Sequence, residues 1–125
     1  MKSVFLENSN KGGHYAPGVI SKGMLYISGQ LPIEHETGKL IEGGLEEQVK
    51  QTLHNVELVL KAAGLTKDDV VQCRIYTPDI KNWDRINVVY GEFFGDHKPA
   101  RAVVSTNDLH MNSMVVIEAV AEMEE

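Results

Sequence analysis

The sequence predicts an α+β domain of order β-β-α-β-α-β-β, one sheet packed on two helices, and three observations carry this expectation. Apolar residues recur at three- and four-residue steps in two segments, the mark of amphipathic helices. Short runs rich in β-branched and aromatic residues surround them and read as strands. The 125 residues suffice for one hydrophobic core and no stretch reads as a linker, so a single domain over 1–125 is expected.

Each element follows from its residues. Val19-Ile20 and Met24 to Ser28 flank Ser21-Lys22-Gly23, a β-hairpin with a short glycine-containing turn. A turn-rich segment runs from Pro32 through Thr37-Gly38 to Gly43-Gly44. From Leu45 to Ala63, Leu45, Val49, Leu53, Val56, Leu60 and Ala63 make one helical stripe, which Gly64 ends. Val70 to Tyr76 is the next strand, closed by Thr77-Pro78-Asp79. Trp83, Ile86, Tyr90, Phe93 and Phe94 give a second helical stripe, with Asn82 as N-cap and Gly95 as stop. Strands around Ala102 to Thr106 and Met114 to Glu122 complete the order. In the last strand Val115, Ile117, Ala119 and Ala121 line one face, while Met114, Val116 and Val120 make the other apolar as well. Two helices cover only one face of a sheet, so the second face is expected to bury itself against another copy of the chain.

Composition narrows the function classes. Twelve basic against eighteen acidic residues give a formal charge of −6, with no basic cluster, and nucleic-acid binding is not expected. No apolar run approaches the roughly 20 residues that span a bilayer. Cys73 is the single cysteine, and the N-terminal Met-Lys-Ser-Val-Phe-Leu-Glu-Asn lacks the apolar core of a secretion signal, so a reducing cytoplasm is the expected location. The five histidines, His14, His35, His54, His97 and His110, show no i, i+4 pair, and neither H-E-x-x-H nor C-x-x-C occurs, so no metal or other cofactor is expected.

The residues that bear on chemistry centre on His97-Lys98-Pro99-Ala100-Arg101-Ala102-Val103-Val104-Ser105. Pro99 fixes its own φ and biases Lys98 toward extended geometry, which delivers Arg101 to the mouth of an apolar strand in a defined position. A guanidinium presents a planar fork that grips a carboxylate through two parallel hydrogen bonds. The alternative is a strand-end arginine paired with one of the chain's own acids.

Several segments taken in order resemble the Rid family of small trimeric proteins, the RidA/YjgF type that hydrolyses reactive enamines and imines. They are Gly13-His14-Tyr15-Ala16-Pro17-Gly18, Ser28-Gly29-Gln30-Leu31-Pro32, Glu47-Gln48 with Asn55, Ala63-Gly64, Asn87-Val88-Val89-Tyr90 with Phe93-Phe94, Pro99-Ala100-Arg101 and Ile117-Glu118-Ala119-Val120-Ala121. The resemblance implies a chorismate-mutase-like fold closed into a homotrimer with sites at subunit interfaces. It implies that Arg101 holds the substrate carboxylate, that the backbone of Gly29 lines the same pocket, that Tyr15 forms an aromatic wall and that Asn87 lies near the pocket. Val103 stands where many members have a cysteine whose backbone contacts the substrate nitrogen. Many active members carry two glutamates in the last strand, the first credited with positioning the hydrolytic water; here Val116 stands at the first position and Glu118 at the second. Leu109-His110 replaces the common Leu-Pro turn. These departures mark a divergent subgroup.

Other readings stay open beside these. Gly29 also suits tight packing, Tyr15 loop anchoring, and Asn87 a cap-like contact. Glu118, an acidic residue within a largely apolar strand, either pairs with a cation across a subunit interface or belongs to the site. His14 and His110 lie in segments resembling pocket loops and are proton donors or surface residues. Cys73 reads as a packed thiol, and Ser28 has no triad context. Two functions follow. One is cofactor-independent hydrolysis of small 2-imino or enamine acids, of the 2-iminobutanoate or 2-iminopropanoate type, to 2-oxo acids and ammonia. The other is a non-catalytic carboxylate-binding or regulatory trimer of the same fold, which Val116 favours.

Overall fold

Along the described residues, 1–7 and 13–123, the computed structural model runs β1 (Lys2–Val4), β2 (Gly18–Ser21), β3 (Met24–Gln30), β4 (Ile33–Glu34), β5 (Lys39–Leu40), α1 (Leu45–Ala62), β6 (Val70–Thr77), α2 (Trp83–Phe94), β7 (Ala100–Ser105) and β8 (Val116–Glu122). The expected domain over 1–125 thus includes seven residues, 8–12 and 124–125, that lie outside the described set. Six strands form one sheet in the order β1-β2-β3-β8-β6-β7, and β4 with β5 makes a separate small hairpin. All neighbours in the large sheet are antiparallel except β6 and β7, which α2 joins as a parallel crossover.

Local chemistry sets the boundaries. Ser21 and Met24 pair across Lys22-Gly23, both at positive φ (51° and 77°), which is the two-residue hairpin geometry whose twist matches its strands. Helix α1 opens where the Gly44 amide donates to the Glu47 carboxylate at 3.1 Å. It closes with Gly64 at φ 78° and paired bonds from Gly64 N to Lys61 O and from Leu65 N to Leu60 O. Asn82 does not cap α2. A short 3₁₀ turn over Ile80–Asn82 precedes the helix, the Asp79 carboxylate accepts from the Lys81 amide at 2.9 Å, and the Asn82 side chain turns back to donate to Thr77 Oγ1 at 3.1 Å. Gly95, at φ 62°, ends α2 as expected. Strand β7 starts and ends slightly before the expected Ala102 to Thr106, and β8 starts at Val116 rather than Met114.

The core lies between the sheet and one layer of two helices. Leu45, Val49, Leu53, Val56 and Leu60 of α1 and Ile86, Val89, Tyr90 and Phe94 of α2 cover Leu25, Ile27, Val70, Cys73, Ile75, Ile117, Ala119 and Ala121. At about 25 cal/mol per Å² of apolar area removed from water, this sandwich is the main stabilising term. Buried amides fix the loops around it. The Asn55 side chain donates to the carbonyls of Leu31 (2.9 Å) and Ile33 (2.7 Å), and Gln48 accepts from the Met114 amide at 2.8 Å. Among the described residues no helix packs on the opposite face of the sheet. There Tyr26 and Val104 remain 49% and 43% exposed, beside half-buried Val116 and Val120. Among the described residues no helix is long and apolar enough to cross a membrane.

Candidate carboxylate site

Arg101 lies on β7, the edge of the sheet, in register with buried Cys73, so its side chain turns toward the helix layer. There α2 offers Trp83, Asn87 and Tyr90, spaced four and three residues apart on one face of the helix. The guanidinium donates from Nη1 to Asn87 Oδ1 at 2.8 Å and lies 4.8 Å from the Tyr90 ring centre and 5.1 Å from that of Trp83. Among the described residues no carboxylate is within ion-pairing distance of Arg101, so pairing with one of the chain's own acids is not realised. A recess of about 470 Å³ opens beside it, walled by Tyr90, Gly91, Lys98 and Pro99.

The neighbours of this recess are chemically quiet. Burial pushes the Cys73 thiol up to about 11, against smaller opposing effects of Tyr90 and Arg101, which suits the packed thiol expected. Burial likewise raises the Tyr90 phenol, with the neighbouring Cys73 thiol adding to the rise. Val103, two residues beyond Arg101, is half-buried against the core.

A second group of expected residues gathers elsewhere. Gly29 sits where β3 bulges: Ile27 pairs with Ala119 and Gln30 with Ile117, so Ser28-Gly29 together oppose Glu118. A Cβ at Gly29 would stand 3.1 Å from Val116 Cγ1, so a side chain here would crowd the neighbouring strand. The Ser28 hydroxyl donates to Ala16 O at 2.6 Å and its amide to Pro17 O at 2.9 Å, pinning the loop that carries Tyr15. Tyr15 itself is 57% exposed. Glu118 accepts from the Tyr76 hydroxyl at 2.5 Å, with Arg74 Nη1 3.6 Å away. Its cation is thus on its own chain. His14 and His110 are both exposed, the latter in a 3₁₀ turn over His110–Asn112.

The expected site residues therefore fall into two separate groups on one chain. Arg101, Asn87 and Val103 belong to the β7–α2 side, and Gly29, Tyr15 and Glu118 to the β3–β8 side. Crossing from β7 through β6 and β8 to β3 takes three strand spacings, about 14 Å. The two sets also face opposite ways, Arg101 toward the helices and Glu118 toward the uncovered face. Trp83 and Tyr90 were legible only as core-facing members of a stripe; that they flank the guanidinium depends on where α2 crosses β7.

A family model described as Endoribonuclease L-PSP matches residues 7–123. A RutC family protein of Pyrococcus horikoshii is 36% identical over 122 residues, 97% of each chain. Human 2-iminobutanoate/2-iminopropanoate deaminase is 37% identical over 109 residues, 87% of this chain and 80% of that one. The crystal structure of YyfA of Yersinia pestis, a protein of unknown function of the conserved Rid family, superposes with a TM-score of 0.93 at 35% identity over 98% of both chains. The chain belongs to the YjgF/Rid family. As a Rid protein it keeps Pro99-Ala100-Arg101 and the Ser28-Gly29-Gln30 segment, and it departs from the expected pattern at Val116.

Proposed function

We propose that this Rid protein hydrolyses small 2-imino or enamine acids to 2-oxo acids and ammonia without a cofactor, in clefts completed by neighbouring subunits of a homotrimer. The observation that carries the proposal is Arg101. Its guanidinium is oriented by Asn87 and two aromatic rings, lacks a carboxylate partner among the described residues, and borders a recess with room for a small acid. One Nη1 bond goes to Asn87, and the other N–H groups remain for a bidentate grip on substrate. Asn87 is then a positioning residue for Arg101.

With the carboxylate held, the C=N carbon is presented to a water near Gly29 and Val116 of the adjoining subunit. Water oxygen bonds to that carbon as the π pair moves to nitrogen, and one O–H bond of the water breaks, its proton passing to that nitrogen. The resulting carbinolamine expels ammonia as its hydroxyl proton passes to nitrogen and the C=O bond forms. Imines hydrolyse unaided in water, so positioning and modest electrostatic help suffice. The named activity of the human relative, at 37% identity, supports this class. The −6 charge weighs against RNA as the substrate.

The alternative, a carboxylate-binding trimer without turnover, is favoured by Val116 alone. An amino-acid oxidase that generates 2-iminobutanoate, with semicarbazide as competing trap, separates the two. Added protein should lower semicarbazone yield and raise 2-oxobutanoate; no change, with 2-oxobutanoate still bound in calorimetry, selects the binding protein.

A further inference from the structure

With Val116 where many family members carry a glutamate, a different carboxylate on the uncovered face is placed to hold the attacking water and add electrostatic help. We propose that Glu118, oriented by the Tyr76 hydroxyl, is that group, an inference that rests on the hydrolase reading above. Three observations converge on it. The Ser28-Gly29 bulge directly opposes Glu118 across the β3–β8 ladder, so the carboxylate stands beside the backbone that the family resemblance places against the ligand. Tyr76 is the register partner of Val116 on β6, and its hydroxyl reaches diagonally along the face to Glu118 Oε1 at 2.5 Å. Arg74 approaches the same Oε1 at 3.6 Å, which leaves Oε2 for a water. Positions 116 and 118 share one face of β8 about 7 Å apart, a distance that a water and a small imine span together.

The division of labour follows from the chemistry. The hydrogen bond to Glu118 holds the Tyr76 phenol in its protonated, donating form, so Tyr76 positions the carboxylate and does not itself take a proton. Glu118 receives a proton from water as oxygen bonds to the C=N carbon, and passes it to the nitrogen that gains the π pair. The carboxylate ends unchanged, so no co-reactant is needed.

The test is steady-state hydrolysis of 2-iminobutanoate by the assembled protein. Glu118→Gln should lower kcat about tenfold or more, with KM, 2-oxobutanoate affinity and oligomer mass unchanged. Adding Val116→Glu to that variant should restore the rate, because either position then supplies a carboxylate to the same water. Tyr76→Phe, which keeps the ring, should lower kcat by a smaller factor at unchanged KM, and it decides the question if Glu118→Gln fails to assemble. An undiminished kcat in the assembled variants, or no rescue by Val116→Glu, would make Glu118 a brace for Arg74 and overturn the assignment alone. A wild-type chain without turnover would overturn the hydrolase reading and this assignment with it.

Discussion

Removing the Arg101 guanidinium leaves a bound carboxylate without its fork of donors, in a recess partly closed to water. Arg101→Ala should therefore weaken 2-oxobutanoate binding by about 2 kcal/mol or more, roughly thirtyfold, in titration calorimetry. Arg101→Lys should recover only part of this, since an ammonium offers no planar fork and no flat face to Tyr90 and Trp83. Unchanged affinity in Arg101→Ala would place the site elsewhere. Cys73 gives a second measurement at this scale. With its thiol pushed up to about 11, only about one molecule in a thousand carries a thiolate at pH 8, so iodoacetamide should leave the native protein unlabelled and modify it in denaturant. Rapid native labelling would contradict the burial. Arg101 was legible in the sequence because Pro99 and an apolar strand announce where it stands. Its tie to Asn87 was not, since that bond joins residues 14 apart through a crossover only the fold supplies.

Helix α2 is tied to α1 as well as to the sheet. Arg85 donates from Nε and Nη2 to both carboxylate oxygens of Glu46, each at 2.7 Å. That side-chain hydrogen bonding is the first cause holding the Glu46 carboxyl near 2, well below its ordinary 4.5. Because the folded value is the lower one, the pair's contribution is present above about pH 4.5 and lost as pH falls toward 2. Carboxyl-carbon NMR titration should find Glu46 titrating well below the other glutamates, and Arg85→Ala should return it to the ordinary range. Gly64 tests the helix end: at φ 78°, with open space where a Cβ would stand, Gly64→Ala costs backbone strain alone, about 1 kcal/mol in denaturant unfolding. Both long helices and the five strands β2, β3, β6, β7 and β8 were legible from their periodicity or their β-branched and aromatic composition. Strands β1, β4 and β5, of three, two and two residues, are too short to show either. The Asn82 cap failed because Asp79 and the 3₁₀ turn had already taken the start of α2.

At the scale of the whole molecule, the uncovered sheet face and the split site ask for the same thing. Tyr26, Val104, Val116 and Val120 want an apolar partner, and Arg101 is about 14 Å and one sheet face away from Gly29. The proposed cyclic trimer would answer both by setting the β7–α2 side of one chain against the β3–β8 side of the next. Light scattering at micromolar concentration should give about three times the chain mass, and a stable monomer would contradict it. The doubly apolar last strand made the uncovered apolar face legible, whereas the separation of the expected site residues into two groups required the strand order. The most direct test mixes two crippled chains, Arg101→Ala and Gly29→Leu, by joint unfolding and refolding, with mixed trimers verified by native mass spectrometry. Each variant alone should hydrolyse 2-iminobutanoate at no more than a few per cent of the wild-type rate, by loss of positioning. In mixed trimers a Gly29→Leu chain supplies an intact Arg101 to the intact Gly29 of an Arg101→Ala neighbour, so random assembly should restore about one quarter of wild-type activity. Verified mixed trimers as inactive as their parents would mean that no site is shared between chains.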